Sequence, residues 1–360
     1  MSRVAYATID VSALKHNFSI VRRAAPQSKI LAVIKAFAYG HGLLRTADVL
    51  QDADGFAIAH CEEAIALRKH GVTKRIVALQ GFADQDELNV FIQYDVEPVI
   101  HHLSQIALLE TCQLPAGFAV WLKLDTGMHR LGIPVEEFEQ AWQRLSAIDA
   151  LRHQIYVMTH FANADTVDSD YSLQQIQLFN QTTKHCQVEK SLANSGAILG
   201  LTASHADWVR PGIMLYGGSP LIGHTAEALD LKPVMTLKSR IISINKIRQG
   251  EYVGYGSTWR ADVDTRIAVV GIGYGDGYPR HVAPDTPVLI NGKIYPIVGR
   301  VSMDMICVDI GTNNPIQTGE EVILWGKGLP AEIIAEKAGT IVYELFCQVT
   351  SRVHMEAING

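Results

Sequence analysis

Apolar and polar positions follow two rhythms along this chain. Between Ile30 and about Gly217, short apolar runs alternate with longer amphipathic stretches. The apolar runs fall at residues 30–36, 55–59, 75–80, 96–101, 119–125, 154–162, 191–197 and 208–217. Helical spacing of apolar residues fills 62–70, 86–94, 135–145 and 171–185, with Pro134 and Ser169-Asp170 as start signals for the last two. Strands that alternate with helices predict a parallel sheet, and eight of them predict a (β/α)8 TIM-like barrel. An open doubly wound sheet satisfies the same strand count. The seventh and eighth runs are the least uniformly apolar.

Past about Leu231 the helices thin out. Runs at 234–247, 266–272, 287–298, 305–310 and 321–325 read as strands of a second, mainly antiparallel β domain. Asn291-Gly292 is a strong hairpin signal, because both residues tolerate positive φ. One helix is expected at about 331–338. With 219–231 as linker, the chain divides into an N-terminal barrel domain, 1–230, and a C-terminal β domain, 231–360.

Chemistry in a barrel gathers where strands end and βα loops begin, and the polar residues fall there. Lys35 ends the first run, Lys123 and Asp125 the fifth, His160 lies in the sixth, Asn194 and Ser195 in the seventh, Arg210 in the eighth. A lysine buried on an apolar strand is pushed toward the neutral amine that Schiff-base formation requires. By position alone, a lysine at a strand end is more often one that carries its head into solvent.

The neighbouring residues shift that balance. Lys35-Ala36-Phe37-Ala38-Tyr39-Gly40-His41-Gly42 closely resembles the cofactor-lysine signature of alanine racemases. The resemblance continues through Lys123-Leu124-Asp125-Thr126-Gly127-Met128-His129-Arg130-Leu131-Gly132 and Arg210-Pro211-Gly212-Ile213-Met214-Leu215-Tyr216-Gly217. In the second half it includes Val253-Gly254-Tyr255-Gly256-Ser257-Thr258 and Gly299-Arg300-Val301-Ser302-Met303-Asp304. Five motifs in order, over nearly the whole chain, are far more specific than any one of them.

The resemblance implies a barrel, a β domain that the first residues often join, and a head-to-tail homodimer with shared active sites. It implies pyridoxal 5'-phosphate bound as a Schiff base to Lys35, and interconversion of L- and D-alanine by two bases. Lys35 would serve D-alanine, and Tyr255 of the partner subunit L-alanine. A tyrosine with its usual pKa of about 10 is a poor base at neutral pH; His160 and Arg210 match the residues that help it in the family. Arg210 would face the pyridine nitrogen, where a fixed positive charge disfavours a proton and weakens the electron sink. Ser195, Gly212, Ile213, Tyr39 and Tyr343 would hold the phosphate, with Asn194 near it. Arg130 and the Met303 backbone N–H would take the substrate carboxylate. Lys123, carbamylated in many relatives, would orient Arg130, and Asp304 would position its neighbours. Asp165, Tyr274 and Arg280 match positions at the substrate entrance. Phe37 departs from the pattern, since relatives usually carry Asn or Asp there.

Bulk properties narrow the setting. The 360 residues are 48% hydrophobic and 19% charged with a net charge of -6, which fits a globular protein and gives no reason to expect nucleic acid or an anionic membrane. The start carries no signal-peptide core, and five scattered cysteines form no disulfide or metal framework, so a cytoplasmic protein is expected. No His or Cys spacing suggests a metal, and His41, His101 and His102 read as structural or solvent-facing. Three rivals stay open: a broad-specificity racemase of the same fold, a barrel decarboxylase, and a non-catalytic cofactor carrier. Arg210 argues against the second, and Tyr255 with the Met303 motif against the third. Both a role in cell-wall precursor supply and one in alanine catabolism remain compatible.

Overall fold

A computed structural model describes residues 4–167 and 169–359, so the first three residues of the chain start discussed above lie outside it. The chain forms two compact units. One comprises Phe18–Leu215 and Pro220–His224; the other holds the described residues of Met1–Asn17, Tyr216–Ser219 and Thr225–Gly360.

The chain opens with β1 (Tyr6–Asp10) and α1 (Val11–Ala24). Eight parallel strands then close into the barrel: β2 (Lys29–Val33), β3 (Gly55–Ile58), β4 (Arg75–Ala78), β5 (Glu97–Ile100), β6 (Val120–Lys123), β7 (Ile155–Met158), β8 (Lys190–Asn194) and β9 (Trp208–Arg210). Closure is made by Lys29 pairing with Trp208 and Ile30 with Val209. The strands between are followed in turn by α2 (Lys35–Tyr39), α3 (Leu43–Val49), α4 (Cys61–Lys69), α5 (Gln85–Gln93), α6 (Leu103–Thr111), α7 (Val135–Ser146), α8 (Asp170–Thr182) and α9 (Ser195–Gly200). The strands are short and apolar because both faces are covered; every residue of β3 and β6 is buried. In α7 the buried Phe138, Ala141 and Leu145 recur at helical spacing after Pro134, and the Ser169 hydroxyl caps α8 by accepting from Ser172 N–H.

Three apolar runs end earlier than their composition suggests. The seventh turns helical at Ser195, because Asn194 caps the helix that follows. The eighth is extended only through Arg210; Pro211, which has no N–H to give a neighbouring strand, ends it, and Ile213–Tyr216 winds into a 3-10 turn. The first stops at Val33 and gives way to a left-handed turn. Ala36, Phe37, Ala38 and Tyr39 have φ of 52°, 53°, 56° and 51°, followed by Gly40 at 78°. Each non-glycine residue costs about 1–2 kcal/mol in that region, so surrounding contacts must hold the turn. Phe37 is 73% exposed there. Asparagine tolerates left-handed backbone better, so Phe37→Asn is expected to stabilise the fold by about 1 kcal/mol. Thermal denaturation checks this; an unchanged melting temperature would mean the turn carries no strain at that residue.

The floor of the barrel, at the strands' N-terminal ends, is plugged by an aromatic and charged cluster. The Arg75 guanidinium lies 4.3 Å from the Tyr156 ring and 5.2 Å from that of Trp208. Its Nη2 donates to Tyr156 Oη at 2.7 Å, and its Nε pairs with Glu97 at 3.1 Å. Trp121 Nε1 donates to Glu97 at 2.7 Å and stacks on Tyr156 at 4.6 Å. Burial pushes the Glu97 carboxyl up to about 7, outweighing the opposing pull of Arg75 and Trp121. A folded-state pKa above the unfolded value means the native state binds the proton more tightly. Glu97's contribution to stability is therefore greatest in acid and falls as pH rises from about 4.5 to about 7. Glu97→Gln is expected to flatten this part of the stability–pH curve, measured by denaturant unfolding at pH 5 and pH 8. An equal slope in the variant would rule Glu97 out as its source.

The second unit contains β10 (Met235–Ile247), β11 (Tyr252–Val253), β12 (Trp259–Arg260), β13 (Thr265–Val270), β14 (Pro287–Ile290), β15 (Lys293–Val298), β16 (Ile306–Asp309), β17 (Glu321–Trp325) and β18 (His354–Ile358). Apart from the small β11–β12 pair, these strands and β1 form one sheet in the order β13-β16-β15-β14-β17-β10-β1-β18, with β10 also pairing with β13. All its ladders are antiparallel except β1–β18. The long β10 serves three neighbours: besides β1, Leu237–Arg240 pairs with β17, and Ile241–Ile247 pairs with β13 with a register shift between Ile241 and Ser243. The β14–β15 hairpin turns on Asn291 and Gly292, with φ of 50° and 76°. Two helices, α10 (Ala331–Lys337) and α11 (Val342–Gln348), precede β18; the second of them carries Tyr343.

Candidate active site

Within the barrel unit, the polar residues picked out by position do gather at the C-terminal ends of the strands. Arg210, the last residue of β9, is 3% exposed and its guanidinium donates to neutral acceptors. Nη1 donates to Ser191 Oγ at 2.6 Å; Nη2 donates to Thr159 O at 2.6 Å, Leu192 O at 3.1 Å and His160 Nδ1 at 3.2 Å. Burial lowers the guanidinium to about 10, so it remains a cation at neutral pH. A guanidinium only donates, so His160 Nδ1 accepts and the imidazole carries its proton on Nε2. Burial, then the positive charges of Arg210, Lys123, Arg130 and Lys35, hold His160 well below its ordinary pKa and keep it neutral.

Lys123, the last residue of β6, sits buried in the same field. Burial, followed by Arg210 and Arg130, lowers its ammonium to about 8. Asp125 is taken up by its own loop. It accepts from the backbone N–H groups of Gly127 at 2.9 Å and His129 at 3.1 Å and pairs with the His129 ring at 3.2 Å. These contacts outweigh burial and hold its carboxyl below the usual range. Arg130 is exposed, with its guanidinium outside that pair.

Beside β9, Gly212 N–H donates to Ser195 Oγ at 2.8 Å. A Cβ on Gly212 would stand 2.6 Å from Tyr39 Oη, so only glycine lets the phenol close on this backbone. Asn194 spends its side-chain oxygen on the N–H of Ala197 at 3.1 Å, as the cap of α9. This grouping of Ser195 hydroxyl, Tyr39 phenol and backbone N–H, with Lys35 two residues past β2 and Arg210 held by neutral acceptors, has the chemistry that suits a phosphorylated aldehyde such as pyridoxal phosphate.

The second unit carries the remaining residues. Tyr255 lies in a 3-10 turn, Tyr255–Ser257, between Gly254 and Gly256 at φ 79° and 74°, and is 71% exposed. Met303 is 52% exposed. Its loop is fastened by Gly275 N–H donating to Met303 O at 2.8 Å and by Arg352, which pairs with Asp304 at 2.5 Å and Asp276 at 3.2 Å. Tyr343 is half-buried on α11, Tyr274 and Arg280 are exposed, and Asp165 is exposed in the barrel unit.

Several supporting residues escaped the sequence reading. Ser191 and Thr159 hold Arg210. Buried Gln175, on α8, donates to Thr126 Oγ1 at 3.1 Å and His160 O at 3.3 Å. Isolated polar residues inside apolar runs carry no local signal; their meaning comes from partners far along the chain. His102 caps α6, accepting from Ser104 N–H at 3.2 Å. Among the described residues no helix is long and apolar enough to cross a membrane, and no cluster of His, Cys, Asp and Glu could hold a metal.

Known proteins resemble this chain over its full length. The family model described as alanine racemase, N-terminal domain, matches residues 9–220, and the C-terminal domain model matches 234–357. The alanine racemase of Aeromonas hydrophila is 48% identical over 356 residues, covering 99% of this chain and 100% of that protein. That of Photobacterium profundum is 47% identical, covering 98% and 99%. Among solved structures, the biosynthetic alanine racemase from Pseudomonas aeruginosa superposes with a TM-score of 0.96 at 41% identity, covering 99% of both chains. The alanine racemase from Bartonella henselae with covalently bound pyridoxal phosphate gives 0.90 at 30% identity, again covering 99% of both. This chain belongs to the alanine racemase family of pyridoxal-phosphate-dependent isomerases.

Proposed function

We propose that this protein interconverts L- and D-alanine in the cytoplasm as a homodimer, with Lys35 and Tyr255 of the partner subunit as the two bases. The observation that carries the reading is Arg210, a buried cation held by neutral acceptors beside a neutral His160. Pyridoxal phosphate, when bound, supplies electron withdrawal that acidifies the α-carbon. Arg210 limits that withdrawal by disfavouring a proton on the ring nitrogen, which favours proton return over transamination or decarboxylation.

Lys35 would hold the cofactor covalently and, once released by substrate, take or give the α-proton on one face. Tyr255 would do so on the other face, since one base cannot reach both sides of a planar carbon. Its exposure within its own chain suits a side chain that completes a partner's site. Ser195, whose oxygen accepts from Gly212 N–H, would give its own proton to the phosphate, joined by the Tyr39 phenol and Ile213 N–H, with Tyr343 in the same role by resemblance and Asn194 shaping the turn. Arg130 and the Met303 N–H would receive the substrate carboxylate. The lowered Lys123 amine suits carbamylation, which needs the free base, and the resulting negative charge would orient Arg130.

The test is to incubate the cofactor-loaded protein with L-alanine in deuterated water and follow handedness and deuterium at the α-carbon. D-alanine carrying α-deuterium supports the reading. Alanine that keeps both its hand and its α-proton would leave the family assignment without this activity.

A further inference from the structure

The left-handed turn that starts at Lys35 is fastened by a residue with no assigned role. His41 is fully buried. Its Nδ1 lies 2.8 Å from Tyr39 O and 3.1 Å from Ala38 O. Carbonyl oxygens only accept, so Nδ1 is the protonated nitrogen and donates to both. The backbone adds bonds from Ala38 N–H to Ile34 O at 2.8 Å, from Gly40 N–H to Ala36 O at 3.0 Å and from Gly42 N–H to Phe37 O at 2.8 Å. His41 N–H also donates to Ala38 O at 3.0 Å, and the imidazole adds its bond to Tyr39 O. Tyr39 is the residue whose phenol packs against Gly212, and Lys35 opens the same turn. A left-handed run of non-glycine residues persists only where its surroundings over-determine it.

We propose that His41 is a positioning residue: its Nδ1–H clamps the Ala38 and Tyr39 carbonyls, keeps the turn wound left-handed, and so presents Lys35 and the Tyr39 phenol as a preformed pair for the cofactor. The proposal rests on the cofactor reading above. Burial, outweighing the two carbonyl bonds, lowers the imidazole to about 4, so the clamp stays neutral and intact across the physiological range. Were the clamp lost, the turn would sample other windings, and apparent cofactor affinity would fall in proportion to the competent fraction.

Three variants of the full chain separate this from a general structural role. His41→Asn places an amide N–H near the position of Nδ1; His41→Leu fills the space without a donor; His41→Ala removes both. Pyridoxal phosphate is titrated into each apoprotein, following imine absorbance, and the melting temperature of each apoprotein is measured separately. His41→Leu and His41→Ala are expected to lose affinity by about tenfold or more, and His41→Asn to recover most of it. Affinity at the wild-type level in the folded His41→Leu protein, whatever its melting temperature, would overturn the clamp, as would equal loss in the Asn and Leu variants. A wild-type protein that forms no imine would instead count against the cofactor reading itself.

Discussion

Tyr255→Phe is expected to lower racemisation by about 10²–10⁴-fold, the usual contribution of a positioned general base. The two enantiomers are equal in energy, so catalytic efficiency must fall equally in both directions, and rates of racemisation alone do not reveal which face is affected. The discriminating signal is exchange without inversion. In deuterated water the variant is expected to exchange the α-proton of D-alanine through Lys35 while L-alanine keeps its proton. Because the hydroxyl is exposed within its own chain, the stability of the folded subunit should change by no more than about 0.5 kcal/mol. Lys35→Ala, by contrast, removes one base and the covalent anchor together, and is expected to abolish both imine absorbance and racemisation. Symmetric loss of exchange in Tyr255→Phe would mean that the phenol is not a face-specific base.

Arg210→Met should affect stability, titration and reaction choice together. Four acceptors, Ser191 Oγ, Thr159 O, Leu192 O and His160 Nδ1, lose their donor inside the barrel, at a cost on the order of 3 kcal/mol. Removal of the cation also lifts part of the field on its neighbours. His160 is expected to move back up toward its ordinary range, and Lys123 to rise above about 8, with burial still holding both down. A higher Lys123 pKa leaves less free amine at neutral pH, so carbamylation should shift to more alkaline conditions. Without the fixed charge, the pyridine nitrogen can hold a proton and side reactions should appear, read as keto acid formed from alanine. Unfolding curves, the pH profile of racemisation and product analysis measure the three effects. A stable variant with an unshifted profile and no keto acid would remove Arg210 from the assigned role.

Much of the architecture is legible in the sequence. The alternation of apolar and amphipathic segments gave the barrel strands and helices because a parallel strand covered on both faces must be apolar throughout. Asn291-Gly292 gave the hairpin because its two residues accept positive φ, as they do in the fold. Ends were harder to read. Composition does not mark Val33 as the last extended residue of its run, since Ile34 and Ala36 are equally apolar; the left-handed turn depends on His41 and on backbone partners. Nor does local pattern show that β1 belongs to the sheet of the second unit. Its register against β10 and β18 is set by residues more than two hundred positions away, and only the resemblance hinted at it.

The same division holds for the site. By itself the sequence determined which reactive side chains stand at strand ends, because strand period and βα alternation fix that geometry locally, and its motifs determined the family. Tertiary structure alone decided their electrostatics. Arg210 is a cation held by neutral acceptors because Ser191 and Leu192 on the neighbouring β8 and Thr159 just past β7 converge on it, and Asp125 pairs with His129 because its own loop folds back. Charge state and hydrogen-bond pairing depend on burial and on distances of a few ångströms between residues remote in sequence, which no linear pattern records.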